Sequence, residues 1–348
     1  MYIVRQWRGL DHNLVKMDFV SRVRDESIVF QDEFEAAGCR VFHLYNLKRW
    51  KQFLLERANE YNAVVFNTVN PFDMFCLELV KKSGIPRIII HSHNAGFTAF
   101  NFPRIAFDYE RFRFKRLGCE LWACSDLAGK WMFGDLPFLV LNNGIETGKY
   151  RFSKKVRENV RSELSLSDDN LVIGHVGRFQ KQKNHRFLIH MFSEVLKREP
   201  RARLLLVGDA SQGTNDRVEI ENLVSRLGLS DVVLFLGLRP DVERIYQAMD
   251  VFVLPSLFEG FPFCGVEASC SGLPCLYSDT ITREIMLTGM ERWLPITGNE
   301  AVVSWAEAVI QVGNMDIEWR NDMWIQVKNC GYDSRETVKK VQRLFLEE

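Results

Sequence analysis

Short apolar runs that end in glycine or a polar residue, each followed by an amphipathic stretch, recur through the second half of this chain and restrict what it can become. LVIGHVGR (171–178), ARLLLVGD (202–209), VVLFLG (232–237), VFVLP (251–255) and PCLYSD (274–279) read as strands. HRFLIHMFSEVLKRE, DRVEIENLVSRLG, DVERIYQAMD and FPFCGVEASC lie between them and read as helices. Strand and helix alternating at this spacing give a parallel sheet covered on both faces.

The first half repeats the alternation less regularly. MDFV (17–20), CRVFHL (39–44), AVVFNTV (63–69), PRIIIHSH (86–93), LWACS (121–125) and FLVLNNGI (138–145) are its strands. SIVFQDEFEAAG, stopped by Gly38, and PFDMFCLELVKKSG read as helices, and the leading MYIVRQWRGLDHN as the tail of one. The polar, glycine-bearing NNGIETGKYRF (142–152) reads as a linker, followed by a polar helix, SKKVRENVRSELSLSDD. SWAEAVIQV and SRETVKKVQRLFLEE close the chain as amphipathic helices. The expected fold class is α/β, two Rossmann-like doubly wound parallel-sheet domains facing a cleft. The 348 residues suffice for two cores. Expected bounds are 1–148 and 149–330, with 331–348 a helix packing back toward the first domain.

The stretch VFVLPSLFEGFPFCGVEASCSGLPC (251–275) holds the most chemistry. A strand leads into a loop carrying Glu259, then into a helix with Pro262 in its first turn, Glu267 inside it and Gly272 at its stop. A helix N-terminus offers unpaired N–H groups and a positive dipole end, which suit a phosphate. Two carboxylates beside an anion seat suggest a sugar joined to a phosphate.

Ligands of open parallel sheets sit at the carboxyl ends of the strands. There the second half carries Gly177-Arg178, Gly208-Asp209, Gly237 to Arg239 and Leu257 to Gly260. Lys183 follows Arg178 by five residues at a helix start. A forked guanidinium on one phosphate and an ammonium on the next make a diphosphate clamp; the alternative is a pair of ordinary exposed charges. In the first half, His91 and His93 end a strand beside Ser92 and Asn94, placed to orient an acceptor hydroxyl or hydrogen-bond a sugar. His175, mid-strand, reads as structural. Ser125, Asn142 and Asn143 end strands in the first half and read as turn residues or as ligand contacts on the same cleft wall.

Composition excludes several classes. Lys plus Arg equals Asp plus Glu at 45 each, which gives no reason to expect a nucleic-acid partner. No run reaches bilayer length and no signal peptide opens the chain, so the expected location is cytoplasmic. The eight cysteines form no Cys-x-x-Cys pair and read as buried free thiols in a reducing compartment. Phosphate-loop and Gly-x-Gly-x-x-Gly motifs are missing, which removes the main support for NTPases and dehydrogenases. No Asp-x-Asp pair offers a metal seat on a diphosphate, so stabilising the leaving group falls to Arg178, Lys183 and the helix dipole, with no metal. The stretch NFPRIAFDYERFRFKRLG (101–118) sets Arg104, Arg111, Arg113, Lys115 and Arg116 among aromatics. It reads as a solvated helix face or as a peripheral contact with a membrane surface.

HSHN (91–94), ACS (123–125), NNGI (142–145), GHVGRFQKQKNH (174–185), LLLVGD (204–209), FLGLRPDV (235–242) and FEGFPFCGVEASCSGLPC (258–275) together resemble the family 4 retaining glycosyltransferases of the GT-B fold, of the bacterial exopolysaccharide and capsule type. The likeness covers nearly the whole chain and is more specific in its second half. It implies a sugar moved from a nucleotide-sugar donor to an acceptor hydroxyl with retention, in exopolysaccharide, capsule or lipopolysaccharide synthesis. Arg178 and Lys183 would hold the donor diphosphate beside Gly177 and Gly208. Glu267 would bind the ribose and Glu259 the donor sugar, with the backbone of Gly260, Phe261, Pro262 and Phe263 beside them. Leu238 and Arg239 would meet the nucleobase. One of His91 and His93 would match the family's active-site histidine. The substrate expected is a UDP-sugar rather than a GDP-sugar, with no cofactor. The acceptor expected is a saccharide or a lipid-linked saccharide, reached in the cytoplasm or at the inner face of the cell membrane. Proteins of this type open with a strand and a glycine-rich loop; MYIVRQWRGLDHNLVKMDFV instead matches their first helix and second strand. Two rival readings follow: a catalytically impaired, nucleotide-sugar-binding partner protein, or a sugar-nucleotide epimerase or hydrolase of the same architecture.

Overall fold

The computed structural model describes residues 2–24, 28–94, 104–210 and 213–347, and divides into two compact units, Met1–Asn143 with Ser334–Glu348, and Gly144–Asp333. Residues 101–103 of the basic stretch, and Ser27 at the start of an expected helix, lie outside the described residues.

Unit 1 alternates helix and strand: α1 (Tyr2–Gly9), β1 (Phe19–Ser21), α2 (Gln31–Ala36), β2 (Val41–His43), α3 (Leu47–Arg57), β3 (Ala63–Thr68), α4 (Leu77–Lys82), β4 (Arg87–Ser92), α5 (Arg104–Leu117), β5 (Glu120–Ala123), α6 (Asp126–Phe133) and β6 (Leu139–Val140). β3, β4, β5 and β6 form one parallel sheet in that order, while β1 and β2 form a separate parallel pair. The Ile88 and Ile90 side chains of β4 pack with Leu77, Val80, Phe114 and Met132 in one core. Asn46 and Ser125 cap α3 and α6, accepting from Arg49 N and Ala128 N. The helix expected over 71–84 starts only at Leu77. Asp73 is withdrawn to accept from Thr68 Oγ1 and Val69 N, which holds the preceding residues in a turn.

Unit 2 contains α7 (Lys154–Glu163), β7 (Val172–Val176), α8 (His185–Arg198), β8 (Arg203–Val207), α9 (Asp216–Arg226), β9 (Val233–Gly237), α10 (Val242–Ala248), β10 (Val251–Leu254), α11 (Phe263–Cys270), β11 (Cys275–Ser278), β12 (Glu291–Leu294), α12 (Ala301–Gly313) and α13 (Met323–Val327). The closing helix, α14 (Ser334–Leu346), belongs to unit 1. All six strands of unit 2 are parallel, in the order β12-β11-β10-β7-β8-β9. The order reverses between β7 and β10, the doubly wound arrangement whose crevice lies at the carboxyl ends of those two strands. Buried residues on the two sheet faces form two separate cores.

NNGIETGKYRF is less of a linker than its polarity suggests. Ile145 is 1% exposed and bridges Asp333, and the Thr147 hydroxyl donates to the Asp333 carboxylate. Unit 2 therefore begins at Gly144. The polar helix α7 is likewise anchored: Arg157 and Arg161 converge on Asp250, whose carboxylate also accepts from Val172 N.

Candidate functional site

The two loops at the reversal point are stitched together. Leu257 N donates to Gln182 O at 2.8 Å, Gln182 Nε2 to Phe258 O at 3.0 Å, and Asn184 Nδ2 to Pro255 O at 3.1 Å. Asn184 takes a left-handed conformation, φ 55°, at the turn into α8. That turn sends Lys183 across the strand ends, where its Nζ lies 2.8 Å from Glu259 Oε1. Ser256 Oγ donates to the same oxygen at 2.7 Å and Gln182 Nε2 to Oε2 at 3.3 Å. Glu259 is 6% exposed, so a complete set of partners surrounds a buried carboxylate.

Two glycines shape the floor here, and the second is obligatory. A Cβ on Gly177 would meet Lys183 Cε at 3.0 Å, so the lysine stem lies across bare backbone. Gly208 has φ +129°, and a Cβ there would come within 2.1 Å of Gly177 O. Gly177 N donates to Val207 O and Gly208 N to Gly237 O, which brings three strand ends together.

α11 opens next to this pair, with Pro262 as its N-cap residue, one position before the helical turn that the sequence pattern gives it. Glu267 is 8% exposed and accepts from Tyr246 Oη at 3.2 Å. Burial, with Glu267 nearby, holds the Tyr246 phenol well above its ordinary range, so it stays a donor. Burial pushes the Cys264 thiol up to about 11. Burial lowers the Lys183 pKa, but Cys264 and Glu259 raise it by more, and the ammonium is held above its usual value. Behind it, His175 Nδ1 lies 2.9 Å from Val253 O and its ring packs on His185, which stacks on Phe179. Burial keeps both imidazoles neutral, His185 at about 4.

In unit 1, His91 and His93 stand with ring centroids 4.1 Å apart at the end of β4. His93 Nε2 lies 2.9 Å from Asn67 Oδ1. Burial lowers both, His93 to about 4, so both are neutral imidazoles near pH 7.

Residues 170–314 match the family model described as glycosyl transferases group 1, a span that contains Arg178, Lys183, Glu259 and Glu267. The chain is a glycosyltransferase, similar over that span to group 1. EpsF of Bacillus subtilis (strain 168), which carries a glycosyltransferase name, is 28% identical over 363 residues, 99% of this chain and 91% of its own. An Escherichia coli protein named UDP-Gal:alpha-D-GlcNAc-diphosphoundecaprenol alpha-1,3-galactosyltransferase is 25% identical over 76% of this chain and 70% of its own. Anabaena HepE, solved in complex with UDP, aligns with TM-score 0.73 at 20% identity, covering 92% of this chain and 89% of that one. The fold is that of the GT-B glycosyltransferases.

Within this glycosyltransferase the structure brings Gly177, Lys183, Gly208, Glu259 and the start of α11 into one locality. Arg178 is exposed at its rim and makes no ion pair among the described residues. Arg239 is committed elsewhere: its guanidinium bonds the Asp241 carboxylate at 2.8 Å and Glu163 at 3.0 Å, which hold its pKa above the ordinary value. Leu238 beside it is 77% exposed. Gln182, Ser256 and Tyr246, which hold the two glutamates, are the residues sequence reasoning missed. Gln182 lies inside the quoted GHVGRFQKQKNH, and Ser256 three residues before Glu259, so position was the available signal.

Proposed function

We propose that this glycosyltransferase moves a hexosyl group from a nucleotide sugar, a UDP-sugar, to a hydroxyl of a saccharide or lipid-linked saccharide, with retention of anomeric configuration and without a cofactor, in surface polysaccharide synthesis. The supporting observation is the buried Lys183–Glu259 pair at the reversal point of the sheet, beside the N-terminus of α11. A buried lysine already paired with a carboxylate is poised to exchange partners. When a diphosphate arrives, Lys183 turns to it together with Arg178, and Glu259 is released to accept the sugar's hydroxyls. Glu267, steadied by Tyr246, takes the ribose hydroxyls. As the bond from the anomeric carbon to the phosphate oxygen breaks, charge builds on the leaving diphosphate and is met by guanidinium, ammonium and helix dipole. That oxygen takes the acceptor's proton while the new glycosidic bond forms on the same face. One of His91 and His93 serves the acceptor or sugar as a neutral hydrogen-bonding imidazole.

The names of two relatives favour this reading: HepE is solved with UDP, and the Escherichia coli protein is named for a diphosphoundecaprenol acceptor. A lipid-linked acceptor also suits α5, whose Ile105, Tyr109 and Phe112 form one exposed apolar stripe, 62% exposed at Phe112, flanked by exposed Arg104, Lys115 and Arg116. No helix among the described residues is long and apolar enough to cross a membrane, so this contact would be peripheral. Incubation with a panel of UDP- and GDP-sugars and a polyprenyl-diphosphate saccharide tests the whole proposal. The expected product is a glycoside with the donor's anomeric configuration by NMR. Free sugar or an epimer alone would assign hydrolysis or epimerisation instead.

A further inference from the structure

His175 ties β7 to β10 through one ring nitrogen and leaves the other without a hydrogen-bond partner. Its side chain is fully buried, and Nδ1 lies 2.9 Å from Val253 O. A carbonyl can only accept, so Nδ1 carries the hydrogen and Nε2 keeps its lone pair. That Nε2 is buried and unmet among the described residues. Buried acceptors without donors are rare in folded chains and call for a reason. The ring does not escape by taking a proton: burial first, then His185 and Lys183 beside it, hold it neutral.

The unmet nitrogen is aimed into the candidate site. It lies 3.1 Å from the point a Cβ on Gly177 would occupy. Lys183 Cδ and Cε lie 3.1 and 3.0 Å from that same point, so imidazole acceptor and lysine stem meet over one bare glycine. His185 packs beside His175 with ring centroids 4.8 Å apart, but it lies flat on Phe179 and its own Nε2 is unmet. Lys183 is the donor that can turn. Its ammonium carries three hydrogens, its last bonds rotate, and the pair with Glu259 engages one of the three.

We propose that His175 is a positioning residue that receives Lys183 when the lysine leaves Glu259 for the donor's diphosphate. The inference rests on the reading of Lys183 as a diphosphate ligand. In the bound state one N–H turns to His175 Nε2 and the others face phosphate oxygens. No covalent bond changes and no proton is transferred; the lysine exchanges one acceptor for another. The acceptor's chemistry matters here. A carboxylate in this place would keep the ammonium for itself, and an apolar side chain would leave it undirected over Gly177. A neutral imidazole fixes the direction while the positive charge stays with the diphosphate. Glu259 is then open to the sugar's hydroxyls, still held by Ser256 and Gln182. The glycine is part of the arrangement, since a side chain at Gly177 would stand between nitrogen and lysine.

Nitrogen NMR of the intact chain, labelled at its histidines, tests this with UDP as the probe and calorimetry recording binding. The His175 Nε2 signal is assigned by its loss in His175→Gln. At saturating UDP it should move from the position of an unbonded lone pair to that of a hydrogen-bonded one, with Nδ1 still protonated. An unmoved signal in a saturated sample overturns the proposal. So does a signal already hydrogen-bonded in the free chain, which would give Nε2 to a water. Absence of UDP binding by calorimetry overturns the donor reading itself, and this inference with it. A mutant cycle identifies the group that turns to Nε2. His175→Leu should raise the UDP dissociation constant about tenfold, the scale of one hydrogen bond to a charged group. His175→Gln, which keeps an acceptor, should recover most of that loss. In a Lys183→Met background His175→Leu should weaken UDP no further; an equal loss in both backgrounds overturns the proposal.

Discussion

Lys183 keeps its proton more firmly than a free lysine although it is buried, because Glu259 and Cys264 outweigh the loss of water. Its folded pKa lies above the free value of 10.5, so the stability this pairing contributes is complete below that pH and lost as pH rises through the folded value. Denaturant unfolding followed upward from about pH 10 should show that loss, and Glu259→Gln should flatten it. The imidazoles act at the other end of the scale. His93 and His185 are pushed down to about 4 by burial, and His91 and His175 well below 6.5. The unfolded chain takes up protons from about pH 6.5 downward while the folded one resists, so the melting temperature should fall between about pH 6.5 and pH 4. Lys183 and Glu259 were legible as candidates because each stands just after an apolar strand. That they touch was not, since it depends on the left-handed turn at Asn184 and on Gln182 bridging 76 residues to Phe258. Arg239 pairs with Asp241 two residues on and also turns to Glu163, and nothing local shows that second partner.

Among the elements, the crossing of β7 and β8 ends tolerates no side chain at Gly208. Gly208→Ala forces a Cβ onto Gly177 O in a positive-φ conformation and should cost about 2 kcal/mol or more of stability, read by denaturant titration. α5 carries a different lesson. Its basic residues, read together as one face, divide. Arg113 is buried against Glu110, and Arg111 donates to the carbonyls of Trp131 and Met132, so both are part of the fold. The membrane-facing candidates are the exposed stripe and its flanks. Ile105→Ser with Phe112→Ser should abolish flotation with anionic vesicles while leaving transfer to a water-soluble acceptor intact; unchanged flotation would remove the contact. β12 went unread because ERWL opens with a glutamate. The structure buries that Glu291 and meets it with Ser269 Oγ and Thr288 N, so a charge stands in a strand without cost to the sheet. β6 is only two residues long where eight were expected, and the run enters unit 2 only at Gly144.

For the molecule as a whole, alternation of strand and helix carried both units' parallel character, while the reversal between β7 and β10 is visible only in the sheet order. Unit 1 was less legible because its sheet is in two pieces, β1 with β2 and β3 to β6. A nucleotide that binds the folded chain alone raises its stability by mass action. UDP at a hundredfold over its dissociation constant should add about 2.7 kcal/mol, and the rise should vanish in Lys183→Ala. The most direct measurement compares the transfer rates of folded Glu259→Ala and Lys183→Ala variants with that of the parent on the same UDP-sugar and acceptor. Both variants should lose about a hundredfold or more, the scale on which charge-stabilising groups act in such steps. Transfer at the parental rate by either folded variant would contradict the assignment of this pair to the donor.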